Sequence, residues 1–158
     1  MIRIQKGDLL SAERGLICHQ VNCRGVMGAG VARAFKERYP SSFVEYVIWC
    51  KKFEPDILLG NCVFWEENGD VITCSMFAQD RYGRGEVFTN YKAFRHCCQR
   101  IRAYLQTICN WADEACAYPI NMPYNIGCGL AGGDWDIVYQ ILCEKLGNYN
   151  VILWEKEN

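Results

Sequence analysis

Two rhythms of apolar residues alternate along this chain. Short runs rich in β-branched and other apolar residues at Ile2–Gln5, Leu16–Val21, Asn61–Trp65, Val71–Phe77, Cys116–Met122 and Val151–Trp154 read as strands. Between them, apolar residues recur at three- and four-residue steps. From Asn90 to Trp111 the stripe is Tyr91, Phe94, Cys98, Ile101, Leu105 and Ile108, the pattern of a helix laying one face on a core. From Asp134 to Leu146 it is Trp135, Val138, Ile141, Leu142 and Leu146, with Gly147 placed to stop the helix. Phe43, Val47 and Cys50 predict a shorter helix after Pro40, and "EENGD" (66–70) predicts a hairpin turn joining two strands. Strands alternating with helices define an α/β chain, and no repeat or linker divides it.

Two of the strand-to-helix joints are rich in glycine. "VNCRGVMGAGVARAFKERYP" (21–40) passes from a strand through Gly25, Gly28 and Gly30 into an amphipathic helix, and "PYNIGCGLAGGDWD" (123–136) does the same from the Cys116–Met122 strand. The first N–H groups of a helix have no partner within it, and with the positive end of the helix dipole they favour an anion, typically a phosphate. In an open, mostly parallel sheet both joints emerge at the carboxyl edge, so the two sets of N–H groups can meet on one diphosphate. Either loop alone is equally well an ordinary tight turn.

Composition narrows the ligand. The chain has 158 residues, 51% of them hydrophobic, enough for one proper core, and a formal charge of −1 with the signs interspersed. No basic stripe is present to grip a nucleic-acid backbone, so a small anionic ligand fits better. Eleven cysteines invite a disulfide or metal reading, yet their number is odd, no C-x-x-C pair occurs, and only His19 and His96 add imidazole. Cys18, Cys62, Cys74 and Cys143 sit in apolar runs, as free thiols do in a reducing compartment, so a cytoplasmic protein without metal is expected. "MIRIQKGDLL" has no apolar signal region, and no run approaches the roughly 18 apolar residues of a membrane span.

Familiar nucleotide motifs fit poorly. Gly127-x-Gly129-x-x-Gly132 matches G-x-G-x-x-G, but no acidic residue stands about 20 positions later to hold a ribose, and no G-x-x-x-x-G-K-[ST] occurs at all. Cys128 sits in an anion-cradling loop like a phosphatase nucleophile, yet Asp134 occupies the place of the arginine that chemistry requires.

Four pieces in order, "KGDLL", "CHQVNCRGVMGAGVARAFKERYP", "MPYNIGCGLAGGDWD" and "VILWE", cover nearly the whole chain. Together they resemble the macrodomain family, in particular the compact subgroup of terminal ADP-ribose protein glycohydrolase and the small ADP-ribose-1''-phosphate phosphatases. The resemblance implies one macrodomain over residues 1–158, a mixed sheet of about six strands between helices in three layers, and ADP-ribose or an ADP-ribosylated protein or nucleic acid as the partner, with no further cofactor. It implies that Asp8 and Leu9 lie at the adenine, with Trp154 stacking near it; plain core packing is the alternative for Trp154. Gly28, Ala29, Gly30 and Val31 would approach the diphosphate and distal ribose, and Gly127, Cys128, Gly129, Leu130 and Ala131 would wrap the diphosphate. His19 and Asn22 become the catalytic candidates near the distal ribose, His19 as general acid or base and Asn22 as a polar contact. Each also has a structural reading, as a strand-end histidine and a turn residue.

The chain departs from the glycohydrolase pattern at two places: "VITCSMFAQD" holds no lysine, and Ala131 stands where the loop aspartate belongs. Asp134 and Asp136 fit a helix cap and a first-turn charge. The loop "FAQDRYGRGEVFTNY" (77–91), with Gln79, Asp80 and Arg81 at its start, is placed to close over the distal ribose. The expected activity is hydrolysis at the distal ribose C1''; a non-catalytic ADP-ribose reader is the alternative, and a pocket for another nucleotide is the third reading.

Overall fold

The computed structural model describes residues 1–109 and 117–157. Six strands, β1 (Ile2–Lys6), β2 (Gly15–Val21), β3 (Cys62–Glu66), β4 (Val71–Phe77), β5 (Ile120–Pro123) and β6 (Val151–Glu155), form one sheet in the order β1-β6-β5-β2-β4-β3. All neighbours are parallel except β3 and β4. That pair is antiparallel because "EENGD" turns the chain back at once: the Asn68 Oδ1 accepts from the N–H groups of Asp70 and Val71 at 2.8 and 3.1 Å.

Alternation along β2 and β4 sorts side chains onto the two faces. Leu16 and Cys18 with Ile72, Cys74 and Met76 meet the long helix α4 (Tyr91–Ile108) and the helix α5 (Trp135–Leu146). Ile17, Val21, Val71 and Phe77 meet α1 (Gly30–Arg38), α2 (Pro40–Lys52) and the short α3 (Pro55–Leu58). Helices therefore cover both faces. On α4, Phe94, Cys98, Ile101 and Leu105 are buried as the stripe predicts, whereas Ile108 is 40% exposed in the last turn. Trp111 and Cys116, the predicted end of that helix and start of β5, lie outside the described residues. Asn90 and Asp134 cap α4 and α5, accepting from the N–H groups of Ala93 and Asp136, both at 2.9 Å.

Cys18, Cys62 and Cys74 are buried free thiols, but Cys143 is exposed on the outer face of α5, contrary to its expected place in the core. Among the described residues, no group of three or more His, Cys, Asp or Glu side chains is arranged to hold a metal ion, and no helix is long and apolar enough to cross a membrane.

Candidate functional site

At the carboxyl ends of β2, β4 and β5 the sheet opens into a cavity of about 650 Å³. Its walls come from four segments: 19–22 at the end of β2, 26 with 28–32 of the first glycine loop, 79 with 82–84, and 123–131 of the second glycine loop, Cys128 excepted. The two loops thus share one space. Among the described residues, no carboxylate and no lysine lines it, and Arg84 is the one full charge on its wall.

Asn22 builds the first loop. Its Nδ2 donates to the Val26 carbonyl at 2.8 Å, and its Oδ1 accepts from the Arg24 N–H at 2.9 Å. The buried Tyr46 hydroxyl lies 2.9 Å from the same Oδ1 and 2.8 Å from the Asn22 carbonyl. Asn22 is itself only 7% exposed, so the chain bends over an amide whose oxygen and one N–H are already committed. The bend delivers Gly30 with φ +59° at the start of α1, where nothing lies within 4 Å of the place a Cβ would take. In the first turn of α1 the N–H groups of Gly30, Val31 and Ala32 precede the first helical acceptor; the ladder begins with the Arg33 N–H on the Ala29 carbonyl at 3.3 Å.

The second loop is held from outside. The Thr89 hydroxyl donates to the Gly127 carbonyl at 2.6 Å, and the N–H groups of Phe88 and Thr89 lie 2.7 and 3.2 Å from the Ala131 carbonyl. Gln20 reaches under it, its Nε2 2.9 Å from the Gln79 Oε1 and 3.0 Å from the Thr89 Oγ1. Gln79 passes the connection on, donating to the Arg81 carbonyl at 2.9 Å. Within the loop, the N–H groups of Cys128, Gly132 and Gly133 bond to Asn125, Gly129 and Gly127 carbonyls at 2.8, 3.0 and 2.9 Å. Among the described residues, those of Gly129, Leu130 and Ala131 meet no internal acceptor. They are available to an anion.

Several sequence-predicted site residues sit differently from expectation. Cys128 is not on the cavity wall: its thiol turns toward the core and the Ile126 carbonyl at 3.5 Å, and burial, with Asp134 nearby, pushes its pKa up to about 11. Its N–H is bonded to the Asn125 carbonyl at 2.8 Å. Asp8, Leu9 and Trp154 lie off the cavity. Asp8 caps a short 3-10 turn (Leu9–Ser11), accepting from the Leu10 N–H at 2.9 Å; Leu9 is buried. The Trp154 indole packs against Gly7 and donates to the Asn121 Oδ1 at 2.9 Å. Asp80 pairs with Arg24 at 3.1 Å outside the wall, and Arg81 is also outside it.

His19 departs furthest. Its ring stacks on Phe35 at 3.6 Å between centroids, its Nε2 lies 3.3 Å from the Ser75 hydroxyl, and its Nδ1 is buried without a partner. Burial lowers its pKa to about 3. Burial therefore favours the neutral imidazole in this pocket.

Gln20, Thr89, Tyr82, Arg84 and Tyr124 were not singled out from the sequence. One signal was present for Gln20: in "GLICHQV" two adjacent polar residues interrupt a buried strand, and the strand's alternation sends His19 to the α1 face and Gln20 to the other. Tyr82 and Arg84 belong to a loop whose direction the sequence does not encode.

The carboxyl edge of this three-layer α/β/α sheet thus carries two glycine loops whose free N–H groups border one cavity. A family model described as Macro domain matches residues 18–71, which hold β2, the first loop, α1, α2, α3 and β3. The ADP-ribose 1''-phosphate phosphatase of Saccharomyces cerevisiae is 27% identical over 95% of this chain and 96% of its own length. The DNA ADP-ribosyl glycohydrolase of Mycobacterium bovis is 47% identical over 36% of this chain, which is 16% of that protein. The solved macrodomain of Thermus aquaticus DarG superimposes with a TM-score of 0.77 at 22% identity, covering 100% of this chain and 99% of that one. In sequence and in fold the chain is similar to macrodomain proteins.

Proposed function

We propose that this macrodomain binds ADP-ribose and hydrolyses the bond between C1'' of the distal ribose and a phosphate, giving ADP-ribose and inorganic phosphate. The observation that carries the reading is the pair of glycine loops whose unpartnered N–H groups, at Gly30–Ala32 and Gly129–Ala131, line one cavity of about 650 Å³. Two backbone cradles on one space suit two linked phosphates, and the apolar lengths at Val26, Val31 and Leu130 suit the sugar faces between and beyond them. Asn22 and the Gln20–Gln79–Thr89 connection act as positioning residues in this reading, holding the loops rather than touching the reacting atoms.

The missing acid selects the leaving group. A nucleobase or an amine must gain a proton as it departs, and among the described residues no carboxyl lines the cavity to supply it. A phosphate leaves as an anion and needs none. The full-length similarity to the yeast phosphatase supports the same choice. A cytosolic setting belongs to the proposal, supported by the ten free cysteines among the described residues.

The bare wall also favours a second reading, a non-catalytic reader that holds ADP-ribose on a partner. Calorimetry and phosphate release separate the two. ADP-ribose is expected to bind at micromolar Kd or tighter, about −8 kcal/mol, and more tightly than NAD or ATP. Phosphate release from ADP-ribose 1''-phosphate above the buffer rate supports the enzyme; binding with no release on that substrate or on ADP-ribosylated protein or oligonucleotide leaves the reader. Equal binding of ATP and ADP-ribose would discard both.

A further inference from the structure

A second, shallower groove of about 470 Å³ opens beside the main cavity. It runs between the second glycine loop and the segment 84–87, and it shares Arg84, Gly129 and Leu130 with the main cavity. Arg84 therefore stands on the threshold between the two. It forms no ion pair among the described residues: Arg24 is matched to Asp80, Arg33 to Glu37 and Arg95 to Glu144, each on its own part of the surface. All the other anion-holding groups of the site are backbone dipoles. A full positive charge at one point of an otherwise uncharged wall discriminates between ligands that differ in charge at that point.

Beyond Arg84 the character changes. Glu86 lines the outer groove, and Val87 and Leu130, 62% and 50% exposed, give it apolar sides. A polyanionic strand lying along the groove would meet the Glu86 carboxylate two residues past the arginine. A compact anion held at the threshold would not. We propose that Arg84 is the specificity-determining residue of the site, and that the threshold is a third anion subsite taking a small dianionic substituent carried on the bound ligand. The inference rests on the ADP-ribose reading above and deepens it: the two glycine loops take the diphosphate, and the arginine takes the additional phosphate that distinguishes substrate from product. Release of that phosphate removes the Arg84 contact, so product binds more weakly than substrate.

The test compares two ligands and two variants, with a third ligand as a control for a strand. The wild-type chain is expected to bind ADP-ribose 1''-phosphate about tenfold more tightly than ADP-ribose at low salt, the preference shrinking as salt rises. Arg84→Ala removes the preference, costing affinity for the 1''-phosphate about tenfold more than affinity for ADP-ribose, and Arg84→Lys restores part of it. Because Arg84 is exposed, neither variant disturbs the core. Equal loss for both ligands in Arg84→Ala means that the arginine reads the diphosphate, and it overturns the third subsite. Equal affinity of the wild type for both ligands overturns it too. An ADP-ribosylated single-stranded oligonucleotide that binds more tightly than the 1''-phosphate, with the advantage lost in Arg84→Ala, assigns the groove to a nucleic acid and overturns the compact-anion assignment. Wild-type protein that binds neither ADP-ribose nor its 1''-phosphate refutes the parent reading, an outcome distinct from all of these.

Discussion

In the first glycine loop the backbone is held by side chains beneath it: Asn22 bonds to Val26 and Arg24, and Tyr46 bonds to Asn22. In the second, the backbone is held from a neighbouring segment, by the Thr89 hydroxyl on the Gly127 carbonyl and by the N–H groups of Phe88 and Thr89 on the Ala131 carbonyl. Space follows from the difference. A Cβ at Gly30 meets nothing within 4 Å and one at Gly28 only the Val26 side chain at 3.5 Å, whereas one at Gly132 would lie 2.4 Å from the Glu86 carbonyl and one at Gly133 2.5 Å from the Gly127 carbonyl. The first loop is an open shelf. The second contains glycines for internal closeness as well as for ligand approach, so glycine content alone does not mark where a ligand touches.

Gly129 and Gly132 divide the second loop most sharply, since they sit three residues apart with opposite surroundings. Gly129 has no atom within 4 Å of its would-be Cβ and has no positive φ, so Gly129→Glu is expected to fold normally and to lose more than about 100-fold in ADP-ribose affinity through steric filling and charge repulsion of the diphosphate. Gly132→Ala places a methyl against the Glu86 carbonyl at φ +71° and is expected to lower thermal stability first and affinity as a consequence. Calorimetry with circular dichroism melting checks both; a Gly129→Glu chain that still binds normally would falsify the diphosphate's place at that loop.

Acid probes the ground beneath the first loop. His19 stays neutral in the folded chain down to about pH 3, while the unfolded chain takes up that proton near pH 6.5. Below pH 6.5 the unfolded state therefore binds more protons, and stability falls as pH falls, by at most about 1.4 kcal/mol per pH unit. Between pH 6.5 and 4.5 the histidine is expected to cost about 2–3 kcal/mol, and above pH 7 nothing. His19→Phe, which keeps a ring on Phe35, should flatten that limb of the urea-stability profile. An unchanged slope in the variant means that His19 is not the titrating group.

A smaller effect is expected at Asn22. Asn22→Ala leaves the Val26 carbonyl and the Arg24 N–H without their partners at the edge of the cavity, for a loss of about 1–2 kcal/mol in stability and about tenfold in affinity. An Asn22→Ala chain with full affinity would show that the first loop keeps its shape without side-chain support, and the contrast between the loops would shrink.

Much of this architecture is legible in residue order. β4 at Val71–Phe77 follows from a run of apolar residues broken only by Thr73 and Ser75, and the antiparallel turn at β3 from Asn68-Gly69-Asp70. Local chemistry of that kind depends on neighbours in sequence. The parts that were not legible depend on neighbours in space. That a histidine before a glycine loop stacks on Phe35 follows from where α1 lies, and the motif supplies the residue type without its surroundings. Cys128 and Leu130 are equally plausible loop residues in sequence, yet only Leu130 faces the cavity, because Asn125 with φ +62° and Gly127 with φ +76° turn the intervening thiol toward the core. Thr89 stands 38 residues from the carbonyl it holds, beyond the reach of any local pattern.

The sheet order has a consequence for the timing of assembly. β6, the last strand made, lies between β1 and β5, and Ile2 on the first strand pairs with Val151. While a ribosome is still adding residues before β6, β1 therefore has no sheet neighbour, and β5 lacks one of its two. Closing contacts so distant in sequence is slow, because most of the chain must be ordered before they reward it. Synthesis of β6 thus inserts an interior strand rather than appending an edge one, and the nascent chain carries an open gap in its sheet until then.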